Sequence, residues 1–204
     1  MIEFTTIMND VLKYYPQESK YYHSKYHIID MITQLFIYWE DFLKHCYYEN
    51  VQADCNYKLI HNKEKSLEII ILAIIFHDVI YTVGRKDNEE KSAKFALEYL
   101  KDYQYKQEVA ELILSTKVNN TLFDTAEKCI LHDLDWSGFK SYNNMIYNEE
   151  LIKNEAIRDG FTEDEFKEGQ KKFYQMIENY SIYKIFWKDN DIAHNNISKR
   201  IKEM

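Results

Sequence analysis

The stretch "LEIIILAIIFHDVIY", Leu67 to Tyr81, joins an apolar run to two residues that are costly to bury. Eight apolar residues follow one another from Ile69 to Phe76. A buried strand and a buried helix would both show this pattern, but the length with its flanks, roughly Asn62 to Tyr81, favours a helix. His77 and Asp78 come directly after the run. A buried charge needs a partner or a metal ion, so this pair is the first candidate for a functional site.

Composition points to the same fold class. The chain has 204 residues, of which 46% are hydrophobic and 29% charged, as in an ordinary globular protein. Four glycines and one proline are too few for the many tight turns of an all-β fold. No repeat, low-complexity tract or proline- or glycine-rich linker divides the chain. We therefore expect one all-α domain spanning residues 1–204.

Periodicity and capping signals place the expected helices. A first helix is predicted from about Glu3 to Tyr14, stopped by Pro16, and "HIIDMITQLFIYWEDFLKHC" has helical spacing of its apolar residues. Asp87 with Glu90, and Thr162 with Glu165, are candidate capping boxes. The remaining helices are predicted at about 88–101, 104–117, 122–136, 140–158, 163–179 and 190–203.

Charge and cysteine content limit the partners. A net charge of −8 argues against general nucleic-acid binding, which needs a basic face. Cys46, Cys55 and Cys129 include no C-x-x-C pair, so free thiols in a reducing compartment are expected. The start shows no signal peptide, and no apolar run approaches the ~20 residues of a membrane span. We expect a cytoplasmic protein with no membrane partner, and a homo-oligomer stays open.

Four residues could form a metal site. His27 lies on the second predicted helix, His77 and Asp78 follow the buried run, and Asp135 ends "CILHDLD". Histidine and carboxylate hold divalent ions of borderline or hard character. Adjacent helical residues point ~100° apart, so ligands from other helices must complete such a site. A single histidine on an amphipathic helix is usually a hydrogen-bonded core or surface residue, and spacing alone does not establish a metal site.

The order His27 … His77-Asp78 … Asp135 resembles the H…HD…D signature of the HD superfamily of metal-dependent phosphohydrolases. Further segments are similar to a subgroup of small predicted HD phosphohydrolases, in the same order along the chain. They are "YYHSKYHI" (21–28), "FHDVIY" (76–81), "DNEEKSA" (87–93), "LILSTK" (112–117), "LHDLDWSGF" (131–139) and "AHNNI" (193–197). The resemblance implies an all-α HD-type bundle with the metal site in its centre. It also makes His27, His77, Asp78 and Asp135 the ligands of a divalent ion such as Mn²⁺, Fe²⁺ or Mg²⁺.

The chain departs from the subgroup at two positions. Asn119 stands where the subgroup tends to have histidine, and Lys153, near "IKNEA", stands where it has arginine. Both departures concern substrate contacts and leave the four ligands intact. His132-Asp133 is a rival pair, but no later aspartate has a context as good as that of Asp135. We expect His132 to be structural, and Asp133 either to lie just outside the ligands or to orient Asp135.

The resemblance also suggests roles around the ion. Asp78 is a candidate to orient the attacking water as well as to bind metal. Glu89 is a candidate for proton transfer, and a charge that favours its helix N-terminus is the equal alternative. The expected substrate contacts are Lys117 and Lys153, from the resemblance, and Arg85, from its proximity to the motif. Three residues that flank the ligands are expected to line the pocket: Tyr22, His23 and Tyr81.

The sequence therefore suggests a metal-dependent phosphohydrolase acting on a nucleotide or another small phosphorylated metabolite. Two alternatives remain open at this point. One is a nucleotide sensor or interaction module that keeps the HD scaffold without turnover. The other is a di-iron oxygenase on the same scaffold, which would need ligands that the sequence does not obviously supply.

Overall fold

The computed structural model describes residues 3–48, 58–118 and 122–204. In these ranges the fold is all-α, as the sequence predicts, with nine α-helices, two short 3-10 helices (Ser137–Lys140 and Trp187–Asp189) and no strand. The α-helices are α1 (Phe4–Val11), α2 (Lys25–Tyr48), α3 (Lys63–Phe76), α4 (Asn88–Tyr99), α5 (Lys106–Ser115), α6 (Ala126–Asp135), α7 (Tyr142–Arg158), α8 (Glu163–Ile177) and α9 (Asn190–Glu203). In the described ranges, no helix has the length and apolar character that crossing a membrane requires.

Helix α3 contains the apolar run from Ile69 to Phe76. Every residue from Ile69 to Phe76 is buried, and a helix that is apolar on all sides must lie inside the protein. The Asn62 side chain accepts a hydrogen bond from the backbone N–H of Lys65 and so caps its first turn. Helices α1, α2, α4, α5 and α6 all contact α3. The predicted buried helix is therefore the central one of this part of the fold.

Helix α3 ends at Phe76, five residues before the predicted end at Tyr81. Nδ1 of His77 lies 2.9 Å from the carbonyl oxygen of Ile74. A continuing helix would offer that carbonyl to the backbone N–H of Asp78. The histidine side chain thus takes the place of the next helical bond. As a result, His77 and Asp78 lie at the end of the helix and not within it.

Helix α1 ends at Val11, short of the predicted Tyr14. The hydroxyl of Tyr15 donates to the carbonyl of Ile75 on α3 at 2.9 Å, and the side chain of Gln17 donates to the carbonyl of Leu12. These hydrogen bonds hold the residues before Pro16 in turns. Apolar periodicity in the sequence does not predict such contacts.

One predicted capping box is present and the other is absent. Thr162 and Glu165 exchange both hydrogen bonds of the motif at the start of α8. At the start of α4 the predicted box was wrong, because Asp87 makes no side-chain cap bond. Its carboxylate instead lies 3.0 Å from Nζ of Lys91, while Glu90 pairs with Lys117. Both carboxylates therefore form ion pairs with lysines in place of the hydrogen bonds of a capping box.

The buried side chains form two clusters. The first surrounds α3 and draws on the helices around it, from Ile7 in α1 to Leu134 in α6. The second contains Trp136 and Tyr183 with buried residues of α7, α8 and α9. Helix α6 lies at the boundary between the two clusters, because its residue Leu134 belongs to the first and Trp136, directly after the helix, belongs to the second. Cys46, Cys55 and Asn119, on which earlier expectations rested, have side chains outside the described residues.

Candidate metal centre

Three helices bring the four candidate ligands together. His27 lies in the first turn of α2, His77 and Asp78 directly follow α3, and Asp135 is the last residue of α6. One ligand atom from each of the four lies within 4.8 Å of all the others. In residues 3–48, 58–118 and 122–204 this is the single group of three or more such residues with that spacing. The sequence predicted these same four.

The His77 ring has the orientation of a metal ligand. Because Nδ1 faces the Ile74 carbonyl, it carries the proton of the neutral ring and leaves the lone pair on Nε2. Nε2 is buried and makes no hydrogen bond, although it lies 2.8 Å from Oδ2 of Asp78. Two electron-rich atoms at that distance need a positive charge between or beside them. An ion bound to both atoms would supply it.

The ligand distances fit one small cation. Nε2 of His27 lies 3.2 Å from Oδ1 of Asp135, and Nε2 of His77 lies 3.8 Å from the same oxygen. Ligands about 2.1 Å from an octahedral ion are about 3.0 Å apart at neighbouring positions and about 4.2 Å apart across the ion. The observed separations fall around these values. Two imidazoles and two carboxylates suit Mn²⁺, Fe²⁺, Zn²⁺ or Mg²⁺, so the residues fit a divalent ion.

The electrostatics of the cluster show the same need for positive charge. Burial by itself would lower the pKa of His77, but Asp78 and Asp135 outweigh it and raise that pKa well above its ordinary value. Burial would also raise the pKa of Asp78 and of Asp135, but the neighbouring imidazoles hold both carboxyls below their ordinary pKa. Two ionised carboxylates in so buried a position attract a cation, which can be a proton on His77 or a metal ion.

Tyr22, His23 and Tyr81 lie beside the cluster, where the sequence placed them. The Tyr22 ring packs 4.5 Å from that of His27, centroid to centroid, and its hydroxyl donates a long 3.4 Å hydrogen bond to the backbone carbonyl of Asp135. The His23 ring stacks on Tyr81 at 3.4 Å, and its Nε2 lies 3.9 Å from Oδ2 of Asp78. Burial raises the pKa of both tyrosines, so their hydroxyls stay protonated.

Sequence reasoning missed Glu155, which holds His23. This residue of α7 is fully buried, and its two carboxylate oxygens accept from the backbone N–H and from Nδ1 of His23 at 2.6 and 2.7 Å. The double contact fixes the ring with Nε2 toward Asp78. "IKNEA" was noted for Lys153, but a single glutamate on a charged helix gives no signal that it is buried.

A cavity of about 530 Å³ opens at the cluster. Asp78 and Asp135 line one part of it, together with Tyr22, His23 and Tyr81. Glu89 and Arg85, two of the predicted site residues, line it as well. Burial raises the pKa of the half-buried Glu89, and Asp78 and Glu90 add to the effect. The structure thus brings one carboxyl and one guanidinium to the same cavity as the ligands.

Turn 82–85 presents Arg85 to this cavity. Thr82 exchanges two hydrogen bonds with the side chain of Asn88, and the backbone N–H of Val83 donates to Asp159 at 2.9 Å. Gly84 has a φ of 77°, and a Cβ there would approach Cζ of Phe161 to 3.0 Å. Both the backbone angle and this close approach favour glycine. The cation is therefore carried by a braced turn.

Two predicted cations lie elsewhere. Nζ of Lys117 contacts Glu90 and lies 3.0 Å from the carbonyl of Lys86. Nζ of Lys153 lies 2.7 Å from Glu150, one turn earlier on α7. Neither lysine is among the described residues that line the cavity. The structure does not bring them to the predicted substrate.

The rival pair is structural at both positions. Nε2 of His132 donates to the carbonyl of Ile182 at 2.8 Å, as expected of a core histidine. The expectation that Asp133 orients Asp135 was wrong. The Asp133 carboxylate accepts the backbone N–H groups of Lys184, Ile185 and Phe186 at 2.6, 2.9 and 3.0 Å. Residues two apart on a helix point to opposite sides, so Asp133 cannot face the partners of Asp135.

Relatives offer no further guide to this site. Comparison of the chain with protein-family models, with curated proteins and with solved structures finds no match in any of the three.

Proposed function

We propose that the protein is a metal-dependent phosphohydrolase that cleaves a phosphoester of a nucleotide or another small phosphorylated metabolite. The observation that carries the proposal is the convergence of two imidazoles and two carboxylates in one cluster, whose carboxylate residues Asp78 and Asp135 line a cavity. The buried Nε2 of His77, which makes no hydrogen bond, supports metal binding independently of the resemblance. When bound, a divalent ion polarises a phosphoryl oxygen and makes water more acidic.

The residues around the cluster supply the remaining parts of a hydrolysis. Water forms a bond to phosphorus, the bond from phosphorus to the ester oxygen breaks, and a proton passes to the departing alcohol. Asp78, which lines the cavity, accepts a hydrogen bond from the attacking water. Glu89, which lines the same cavity and whose pKa burial raises, transfers a proton to the departing alcohol. Arg85 faces the phosphoryl oxygens, where negative charge increases.

The Asp78→Asn variant tests the proposal directly. We would load the purified protein with Mn²⁺ and follow phosphate release and nucleotide products from nucleoside mono-, di- and triphosphates, cyclic nucleotides and other phosphoesters. We expect turnover of at least one compound, and its loss by about 10³-fold or more in Asp78→Asn, because this residue contributes both to metal binding and to water orientation.

Asp102→Asn is the matched control, since Asp102 is exposed and lies beyond the end of α4. It should retain the wild-type rate. Metal content and far-ultraviolet circular dichroism of each variant separate loss of the ion from loss of the fold. Tight binding of a nucleotide with no turnover under any divalent metal would contradict the proposed enzymatic activity and would favour a nucleotide sensor.

A further inference from the structure

The cavity beside the metal cluster is walled mainly by carbon. Away from Asp78 and Asp135 it extends between α7 and α8, where Phe139, Phe166 and Phe173 line it with Trp136 and Tyr174. Four of these rings pack in sequence, with Trp136 5.4 Å from Phe139 and 6.2 Å from Phe173, and Phe173 5.9 Å from Tyr174, centroid to centroid. A preformed aromatic wall of this kind stabilises an apolar ligand through buried area.

Positive charge in the cavity is scarce. Arg85 is the one lysine or arginine among the lining residues that the structure describes, and its Nε already lies 3.8 Å from Asp87. The carboxylates of Glu89, Glu149 and Glu165 line the same cavity. Glu149 is neutralised by Arg200, which donates to both of its oxygens at 2.9 and 2.6 Å. The cavity thus offers cationic partners for one phosphate group, near the cluster, and none along its aromatic wall.

We infer, on the basis of the proposed function, that the substrate is a phosphomonoester with an apolar aryl or alkyl group. Its hydrolysis consumes one water and gives the apolar alcohol and inorganic phosphate. The phosphate lies at the metal cluster with Arg85, and the organic group lies against the aromatic wall. A nucleoside triphosphate would place further negative charges beside Glu165 and the aromatic wall, a part of the cavity that is lined by no lysine or arginine among the described residues.

Gly169 offers a way to change the wall without touching the cluster. It lies on α8 between Phe166 and Phe173 and lines the cavity, and a Cβ built there meets no atom within 4 Å. A larger side chain can therefore be attached at this lining position without a clash at its Cβ. Lys167 is exposed on the same helix and does not line the cavity, so a substitution there adds the same bulk outside it.

The experiment compares 1-naphthyl phosphate, glycerol phosphate and ATP as substrates of the manganese-loaded protein. We expect kcat/KM for 1-naphthyl phosphate to exceed both others by about tenfold or more. Gly169→Phe should lower the ratio of kcat/KM for 1-naphthyl phosphate to that for glycerol phosphate by about tenfold, because it fills the space of the naphthyl ring. Lys167→Phe should leave the ratio at its wild-type value.

A second measurement does not depend on turnover. Binding of 1-naphthol to the metal-free protein, followed by calorimetry, should occur in wild type and Lys167→Phe and weaken about tenfold in Gly169→Phe. Absence of binding overturns the inference. A higher kcat/KM for ATP or glycerol phosphate also overturns it but leaves the proposed function standing. Failure of the manganese-bound protein to hydrolyse any ester overturns the proposed function, and with it the substrate assignment.

Discussion

At the scale of single residues, Glu89 has surroundings that favour one of the two roles that the sequence leaves equal. A charge that only favours the N-terminus of α4 would be exposed and ionised. Glu89 is instead half-buried in the cavity, and burial raises its pKa. A carboxyl that keeps its proton more readily is suited to protonating a departing alcohol.

Replacing Glu89 by glutamine should lower kcat about 10²-fold, because an amide cannot transfer the proton. KM should change little, since the amide keeps the shape of the side chain and its place at the helix terminus. Steady-state kinetics on the best substrate measure both constants. Glu98→Gln, an exposed position near the other end of α4, is the control. A wild-type kcat in Glu89→Gln would show that Glu89 serves only the helix.

At the scale of secondary-structure elements, helix α6 anchors several parts of the fold through neighbouring side chains. His132 bonds the carbonyl of Ile182, Asp133 accepts the backbone N–H groups of residues 184–186, and Asp135 belongs to the candidate metal cluster. Burial, together with the nearby charge of Lys184, lowers the pKa of His132 to about 4, although Asp135 opposes the shift. The folded protein therefore contains His132 in its neutral form.

This pKa predicts acid sensitivity with a definite sign. As pH falls from about 6.5 to about 4, the unfolded chain takes up a proton at His132 before the folded protein does. The contribution of His132 to the free energy of unfolding is complete above this window and is lost within it, by about 3 kcal/mol at most. His132→Gln cannot titrate at this position. The difference in stability between wild type and the variant should therefore shrink as pH falls.

Urea unfolding at pH 7 and pH 4.5 measures that difference. Burial raises the pKa of the adjacent Asp133 to about 6, so this group titrates in the same window but in both proteins. Subtracting the two unfolding free energies removes its contribution. A difference between wild type and His132→Gln that stays constant over the two pH values would contradict the assignment.

The sequence predicts helices better than it predicts their ends. Apolar periodicity and the Thr162–Glu165 box are local signals, and the structure contains the helices that they indicate. The ends of α1 and α3 depend on side chains that bond distant or unexpected backbone groups, Tyr15 with Ile75 and His77 with Ile74.

The residues of the candidate site also differ in how far the sequence predicts them. The types of the four candidate ligands, in an order that resembles the HD signature, predicted the cluster. No signal in the sequence indicates Glu155, because its partner His23 is 132 residues away.

At the scale of the whole molecule, the candidate ligand set exists only in the folded chain. The ligands come from α2, from the end of α3 and from α6, which pack on one another. An ion that binds these four residues therefore binds the native state and stabilises it by mass action. Stability thus provides a measure of the metal that does not depend on substrate.

Removing metal should lower the melting temperature. At a free Mn²⁺ concentration about 100 times the dissociation constant, binding adds about 2.7 kcal/mol, which corresponds to about 5–10 °C for a protein of this size. Differential scanning calorimetry with Mn²⁺ and with EDTA measures the shift, and mass spectrometry measures the metal content. In His77→Ala both the shift and the bound metal should be lost.

His194→Ala is the control for that variant. His194 lies in α9, where its Nε2 bonds the carbonyl of Tyr180, and it is outside the cluster. It should keep the wild-type metal content and the full response to EDTA. Equal metal occupancy in wild type and His77→Ala would refute the ligand assignment.

The three hydrogen bonds of Asp133 also bear on the order in which the nascent chain can fold. The backbone N–H groups that donate to this carboxylate are 51 to 53 residues further along the chain. A ribosome adds about 5–20 residues per second, so several seconds separate synthesis of Asp133 from synthesis of its partners. Burying α6 during that interval would desolvate an unpaired carboxylate. Docking of α6, and with it assembly of the complete ligand cluster, must therefore wait until translation has passed residue 186.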